Sequence, residues 1–225
     1  MGLRWCHKSE RHLKTDIMSL LIDHIVYTVP DFDLSLAELE EKLGVKPLIG
    51  GRHLLHGTKN ALINLGNQCY LEILAKDEEN TTFKGSRWMG LDLITQPTIT
   101  RWAVKSPDIE KGSVILKNYQ SDLGQISSGE RLTTDGSLLK WQMTLPRSTP
   151  EVDIVPFLLD WSASAFHPCD RMEYQCELKN ISFYHPHPEA IEGVFLSLAI
   201  NEKIICHPLP KIEVSIIGKH GIVHL

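Results

Sequence analysis

Two ionisable residues stand where a sequence of this kind calls for apolar ones. His24 lies in "LIDHIVYTVPDFD" (21–33), a β-branched and apolar run closed by Pro30-Asp31, and it shares one strand face with Ile22 and Val26. Glu72 lies in "YLEIL" (70–74), between Leu71 and Ile73. A histidine so placed must find a partner or a ligand, and a carboxylate is rarely buried without a metal, an arginine or several donors. The two can hydrogen-bond each other across neighbouring strands, or Glu72 can pair with Arg101. Both can instead face a bound ion or substrate. Imidazole and carboxylate together suit Zn, Fe, Mn or Ni, and an open coordination sphere would polarise a carbonyl or stabilise an enediolate.

Further polar groups surround these two. In "GGRHLLHGTKN" (50–60), His53 and His56 are three apart, which in a strand puts them on opposite faces, so only one can share a trough with His24. His53 follows two glycines, which permit close backbone approach, and it is expected as a ligand or proton shuttle, with a turn histidine as the alternative. Thr58 and Asn60 can orient a polar substrate or belong to a plain turn. Arg101, Arg131 and Trp141 suggest a guanidinium fork and an indole wall suited to a small anionic substrate; surface charge and core packing are the competing explanations.

These residues are positioned by a unit that recurs. Aligning Pro30 with Pro107 sets "HIVYTVPDFD" against "RWAVKSPDIE", and aligning it with Pro186 adds "NISFYHPHPE". His24 then corresponds to Arg101 and Asn180. Each apolar strand is followed by a proline and a helical pattern; "LSLAELEEKLG" spaces Leu36, Leu39 and Leu43 helically and stops at Gly44. Strands follow: "KPLIGGRHLL", "NALINLG" and "CYLEILA" in the first unit, "ERLTT", "LLKWQMTL" and "VPFLLDW" in the second. The third is shortened, and "KIEVSIIGKHGIVHL" overlays "KNALINLGNQCYLEI" so that Gly218 matches Gly66 and His224 falls opposite Glu72. The expected fold is α+β: repeated βαβββ units whose curved mixed sheets form a concave trough. The expected divisions are 1–17 as a flexible tail, 18–96 and 97–165 as full units, and 166–225 as the shortened third. His167-Pro168, His185 and His187 read as turn punctuation.

Bulk properties bound the partners. The 225 residues can bury a core without disulfides, and a formal charge of -5 argues against a broad phosphate-binding surface and hence against nucleic acid, while leaving room for a local basic pocket. No window is apolar enough to span a membrane, no secretory signal is evident, and the cytoplasm is the expected address. The five cysteines are odd in number, with no C-x-x-C pair, and are expected as reduced, mostly buried thiols. There is no G-x-S-x-G elbow, P-loop, dinucleotide fingerprint or H-E-x-x-H.

The ordered series "DHIVY" (23–27), "GGRH" (50–53), "GTKN" (57–60) and "YLEIL", continuing through "RWAVKSPDIE", "ERLTTDGSLLKWQMTLP", "VPFLLDW" and "FHP" (166–168), resembles the glyoxalase-like domain proteins of the vicinal oxygen chelate superfamily. The resemblance implies a divalent metal on His24 and Glu72 that chelates adjacent substrate oxygens; Glu72 and His53 are the expected acid-base residues. It implies two more ligands from the second unit, where Arg101 and Asp160 stand; arginine cannot bind a cation, so Asp160, His53 or water would complete the sphere. The implied function is a lyase, isomerase or dioxygenase-type enzyme acting on a small oxygen-rich compound, as monomer or homodimer. The alternatives are a metal-free binding or sequestering protein and a partner-regulated scaffold.

Overall fold

The computed structural model describes residues 22–132 and 136–225, without the side chains of Arg131 and Leu132. The expected tail, 1–17, lies outside the described residues. The chain opens with β1 (Ile22–Thr28) and α1 (Phe32–Leu43). Asp31 caps α1 by accepting from the Leu34 N–H, and Gly44, at φ 70°, ends it by donating to the Glu40 carbonyl. Then come β2 (Leu48–His53), β3 (Thr58–Asn64) and β4 (Tyr70–Lys76), and a tight helical segment at Trp88–Leu93. The second unit comprises β5 (Thr98–Lys105), α2 (Ile109–Tyr119), β6 (Ile126–Leu132), β7 (Leu138–Thr144) and β8 (Phe157–Asp160); Asp108 caps α2 as Asp31 caps α1.

These two units build one eight-stranded sheet in the order β2-β3-β4-β1-β5-β8-β7-β6. In each, the first strand lies parallel to the fourth, and the units join where β1 runs antiparallel to β5. The order reads the same outward from that seam, which is the architecture expected of a repeated βαβββ unit. Strand alternation sorts the side chains. Ile25, Leu71, Ile73, Trp102 and Leu158 enter the large core beneath the helices, whereas Val26, Leu74, Ala103, Phe157 and Leu159 form a smaller cluster on the opposite face. That opposite face is the trough.

The last part supplies β9 (Glu177–His185), α3 (Glu189–Ser197), β10 (Ile204–Cys206), β11 (Lys211–Gly218) and β12 (Gly221–His224), in a separate sheet ordered β10-β9-β11-β12. It packs on the helix side: the Phe183 ring centroid lies 4.6 Å from that of Trp102, and the Lys219 N–H donates to the Leu43 carbonyl at 2.7 Å. Here the first strand lies between the second and third, rather than beside the fourth as in the full units. The β11–β12 hairpin resembles β3–β4, but β12 is an outer edge. His224 is therefore exposed and bonded to Ser215, away from the trough, so its alignment with Glu72 does not survive in space.

Candidate active site

The trough encloses a cavity of ≈ 50 Å³ whose lining includes His24, His53, Asn60, Tyr70, Glu72, Trp88, Trp141, Phe157 and Trp161. Parallel pairing of β1 with β4 sets His24 beside Tyr70 and Val26 beside Glu72, so residues two apart on each strand converge on one face. Neighbouring β3 adds Asn60 one strand further out. His24 Nε2 lies 3.6 Å from Glu72 Oε2, and Asn60 Nδ2 donates to Glu72 Oε1 at 2.6 Å. Both side chains are largely shut off from water, with His24 at 5% and Glu72 at 8% exposure. Asn60 Oδ1 is buried and has no hydrogen-bond partner among the described residues. It occupies the space where a Cβ on residue 50 would sit, 2.3 Å away, which explains the glycine of "GGRH".

Behind His24 lies a buried carboxylate that the sequence patterning missed. Asp23, fully buried, accepts from His24 Nδ1 at 2.7 Å, from Trp161 Nε1 at 2.7 Å and from His167 Nε2 at 3.2 Å. Burial opposes its ionisation, but the hydrogen bonds from His167 and His24 outweigh burial and hold the carboxyl well below the usual range. His167 Nδ1 accepts from the Cys169 N–H at 3.2 Å, which fixes the Nε2–H tautomer that Asp23 needs. With Asp23 ionised, Nδ1 of His24 carries a proton and Nε2 is the atom presented to Glu72 and the cavity. Strict alternation would turn Asp23 to the helix side. The β1–β5 register shifts between Ile22 and His24, and this bulge brings adjacent Asp23 and His24 to the same network.

The remaining expected residues divide. His53 lines the cavity and its Nδ1 lies 2.9 Å from Thr58 Oγ1; Thr58 is fully buried and acts on the site through that contact. His56 stacks on Trp88 with centroids 3.6 Å apart. Trp141 lines the wall, its indole lying in the space left by Gly129 on β6. Arg131's side chain lies outside the described residues. Arg101 does not reach the cavity. β8 begins only opposite Ala103, so Arg101 faces the irregular segment before it and donates to the carbonyls of Thr100, Arg147, Thr149 and Glu151. Asp160 also turns away: Phe157 and Leu159 line the cavity, and Asp160 Oδ1 instead accepts from the Ser162 N–H at 2.7 Å. His167, read as turn punctuation, is a buried member of the site.

Register corrects the expected ligand positions too. Val26 pairs with Glu72, its counterpart Ala103 pairs with Phe157, and so the position matching Glu72 in the second unit is a phenylalanine. The second unit thus offers Arg101 and Phe157 where two more ligands were expected. Among the described residues no group of three or more His, Cys, Asp or Glu is arranged to hold a metal ion. Cys69, Cys169, Cys176 and Cys206 are free, and burial raises the Cys169 thiol to about 12 and Cys176 to about 11, which keeps both protonated. A transition-metal site normally has three protein ligands or more. The cavity offers the imidazoles of His24 and His53 and one carboxylate, not gathered into a three-ligand group among the described residues, beside Phe157 and three indoles, and this donor set does not fit a tightly held divalent ion.

The family model described as "Glyoxalase-like domain" matches residues 22–198. The chain belongs to this glyoxalase-like family. No curated protein matches it. Among solved structures, a hypothetical protein from Staphylococcus aureus is similar with a TM-score of 0.57 at 16% identity, covering 90% of this chain and 83% of its own. That likeness extends to the fold. A methylmalonyl-CoA epimerase of Streptomyces coelicolor in complex with 2-nitronate-propionyl-CoA aligns with a TM-score of 0.41 at 16% identity, over 63% of this chain and 97% of that one. The Mycobacterium tuberculosis methylmalonyl-CoA epimerase aligns at 0.39 and 18%, over 62% and 87%. The glyoxalase-like family maps onto the two units that carry the cavity and onto the start of the third.

Proposed function

We propose that the protein is a glyoxalase-like enzyme of the isomerase or lyase type that moves a proton on a small carbonyl compound without a resident metal. The observation that carries this reading is the buried Glu72 carboxylate, anchored by Asn60 at Oε1 and facing His24 Nε2 at Oε2, in an otherwise mostly apolar cavity. A fixed, poorly hydrated carboxylate is a competent base for a carbon acid, and such a group contributes about 10²–10⁴ in rate. Asn60 prevents Oε1 from rotating away, which leaves Oε2 as the atom that takes the proton.

His24 supplies the complementary group. Its Nδ1–H is committed to Asp23, and an ionised Asp23 stabilises the imidazolium that forms when Nε2 also carries a proton. That Nε2–H points toward the cavity and would donate to the oxyanion developing as Glu72 removes the carbon-bound proton. His53, on the same lining and next to Thr58, exchanges protons with solvent after the chemical step.

Metal-assisted chemistry predicts something different of the same two residues, since His24 Nε2 and Glu72 Oε2 would then be ligands. Protein purified without a histidine tag is expected to carry transition metal well short of one equivalent and to show no saturable, stoichiometric uptake of Zn, Mn, Ni or Fe(II) by calorimetry. One equivalent retained through dialysis and lost in both His24→Ala and Glu72→Gln would replace this reading with the metal-assisted one.

A further inference from the structure

The charge of the cavity narrows what can enter it, and the argument rests on the trough being the substrate site proposed above. Among the described lining residues there is no lysine or arginine, and Glu72 is the sole carboxylate. Ionised Asp23 stands directly behind His24, and its other donors, Trp161 and His167, are neutral. Apart from the imidazoles of His24 and His53, nothing on the described lining can carry positive charge to balance two buried carboxylates. Arg101, which would have balanced them, is committed to backbone carbonyls elsewhere. A buried carboxylate with so little counter-charge favours a ligand that brings its own positive charge.

The walls favour the same ligand. Trp88, Trp141, Trp161, Tyr70 and Phe157 come from five separate positions along the chain and converge on one small volume. Indole faces are the strongest aromatic partners of an organic cation, and such a cage combined with a carboxylate recognises substituted ammonium groups. His56 backs Trp88 in a stacked arrangement, and burial followed by the neighbouring His53 pushes its pKa below the ordinary value. Trp88 is thus supported by a ring that stays neutral at neutral pH and does not add a competing cation. A cavity of ≈ 50 Å³ has room for a handful of heavy atoms, the size of a methylated ammonium head with its tail leaving through the mouth.

We infer that the trough selects a small organic cation, a substrate carrying an alkylated ammonium group seated among Trp88, Trp141 and Trp161 with Glu72 as its counter-charge. An anion of the same shape is excluded by the two carboxylates.

The test is a tryptophan-fluorescence titration of the full chain with three probes of one shape: choline, its uncharged carbon isostere 3,3-dimethylbutanol, and the anion 3,3-dimethylbutanoate. Choline is expected to bind at least about tenfold more tightly than the alcohol, within the roughly 30-fold that a desolvated cation-aromatic contact can give. The anion is expected not to bind. Glu72→Gln should collapse the difference between choline and the alcohol, and Trp141→Leu should weaken both. Trp88→Leu serves the same purpose if Trp141→Leu fails to fold. Equal or tighter binding of the alcohol or the anion, or no response to choline up to about 50 mM, which corresponds to less than 2 kcal/mol of affinity, would overturn the inference. The readout needs no turnover. A chain that prefers choline but moves no proton fails the catalytic reading alone, and one that moves protons on uncharged compounds while ignoring charge fails this inference alone.

Discussion

Asp23→Asn changes one atom at the centre of the network and has a directional consequence. The carboxylate takes His24 Nδ1 on one oxygen and both Trp161 Nε1 and His167 Nε2 on the other. An asparagine must place its NH2 on one of those sides. Trp161 can only donate, so the NH2 cannot face it and turns to His24 instead. Nδ1 of His24 then has to accept, and its proton moves to Nε2, opposite Glu72. The perturbation thus switches the tautomer of a residue it does not replace. Bonds to a charged acceptor are about twice as strong as neutral ones, so three contacts lose roughly 1 kcal/mol each, partly offset because a charge is no longer buried. A net loss of about 2 kcal/mol, a Tm lower by about 4–8 °C, is expected. The folded pKa of Asp23 lies below its unfolded value of about 3.9, so its stabilisation is present above about pH 4 and disappears as pH falls through the folded value. The gap between wild type and variant should therefore narrow in acid. Long-range proton–nitrogen correlation spectra of histidine-labelled protein read the tautomer directly. Retention of the Nδ1–H form of His24 in the variant, or a Tm difference that does not narrow below pH 4, would show that an ionised Asp23 does not set the His24 tautomer.

Gly50→Ala pushes a methyl into Asn60 Oδ1, 2.3 Å away, and should cost about 1–3 kcal/mol while freeing Glu72 from its amide anchor; thermal denaturation measures the first, and a changed pH profile of proton transfer the second. Arg101→Met deprives four backbone carbonyls of their donor and should cost about 3 kcal/mol in chemical denaturation, yet leave choline affinity within about twofold, because Arg101 does not face the cavity. A selective loss of ligand binding with normal stability would show that Arg101 belongs to the site after all.

The sequence carried much of the fold because period-two patterning and turn chemistry agree locally with the global arrangement. His24 and Glu72 were legible for the same reason: an isolated polar residue on an apolar strand face stands out, and parallel pairing brings those faces together; Asn60 was offered by "GTKN", which reads equally as a turn. Asp23 was not legible, since only the bulge beside it overrides alternation. His167 and Trp161 lie after β8, where no periodicity speaks, and their partner is more than a hundred residues earlier; the "DH" and "FHP" pairs were the available signal. Arg101 and Asp160 misled because a repeat aligned by its prolines does not reveal where β8 begins. The register alone puts Phe157 at the position equivalent to Glu72. His224 misled likewise: the hairpin recurs, but the third unit's sheet orders its strands differently and leaves the histidine on an edge.

Removal of a carbon-bound proton by Glu72 without a resident metal is directly measurable. Proton NMR in deuterium oxide tests it on a panel of small carbonyl compounds that includes quaternary ammonium members, with wild-type protein and Glu72→Gln, both dialysed against chelator. Deuterium is expected to enter next to the carbonyl of at least one compound with the chelated wild type, and at a rate lower by about 10²-fold or more with Glu72→Gln. Exchange that stops on chelation and returns with one equivalent of metal, or that survives Glu72→Gln undiminished, would contradict it.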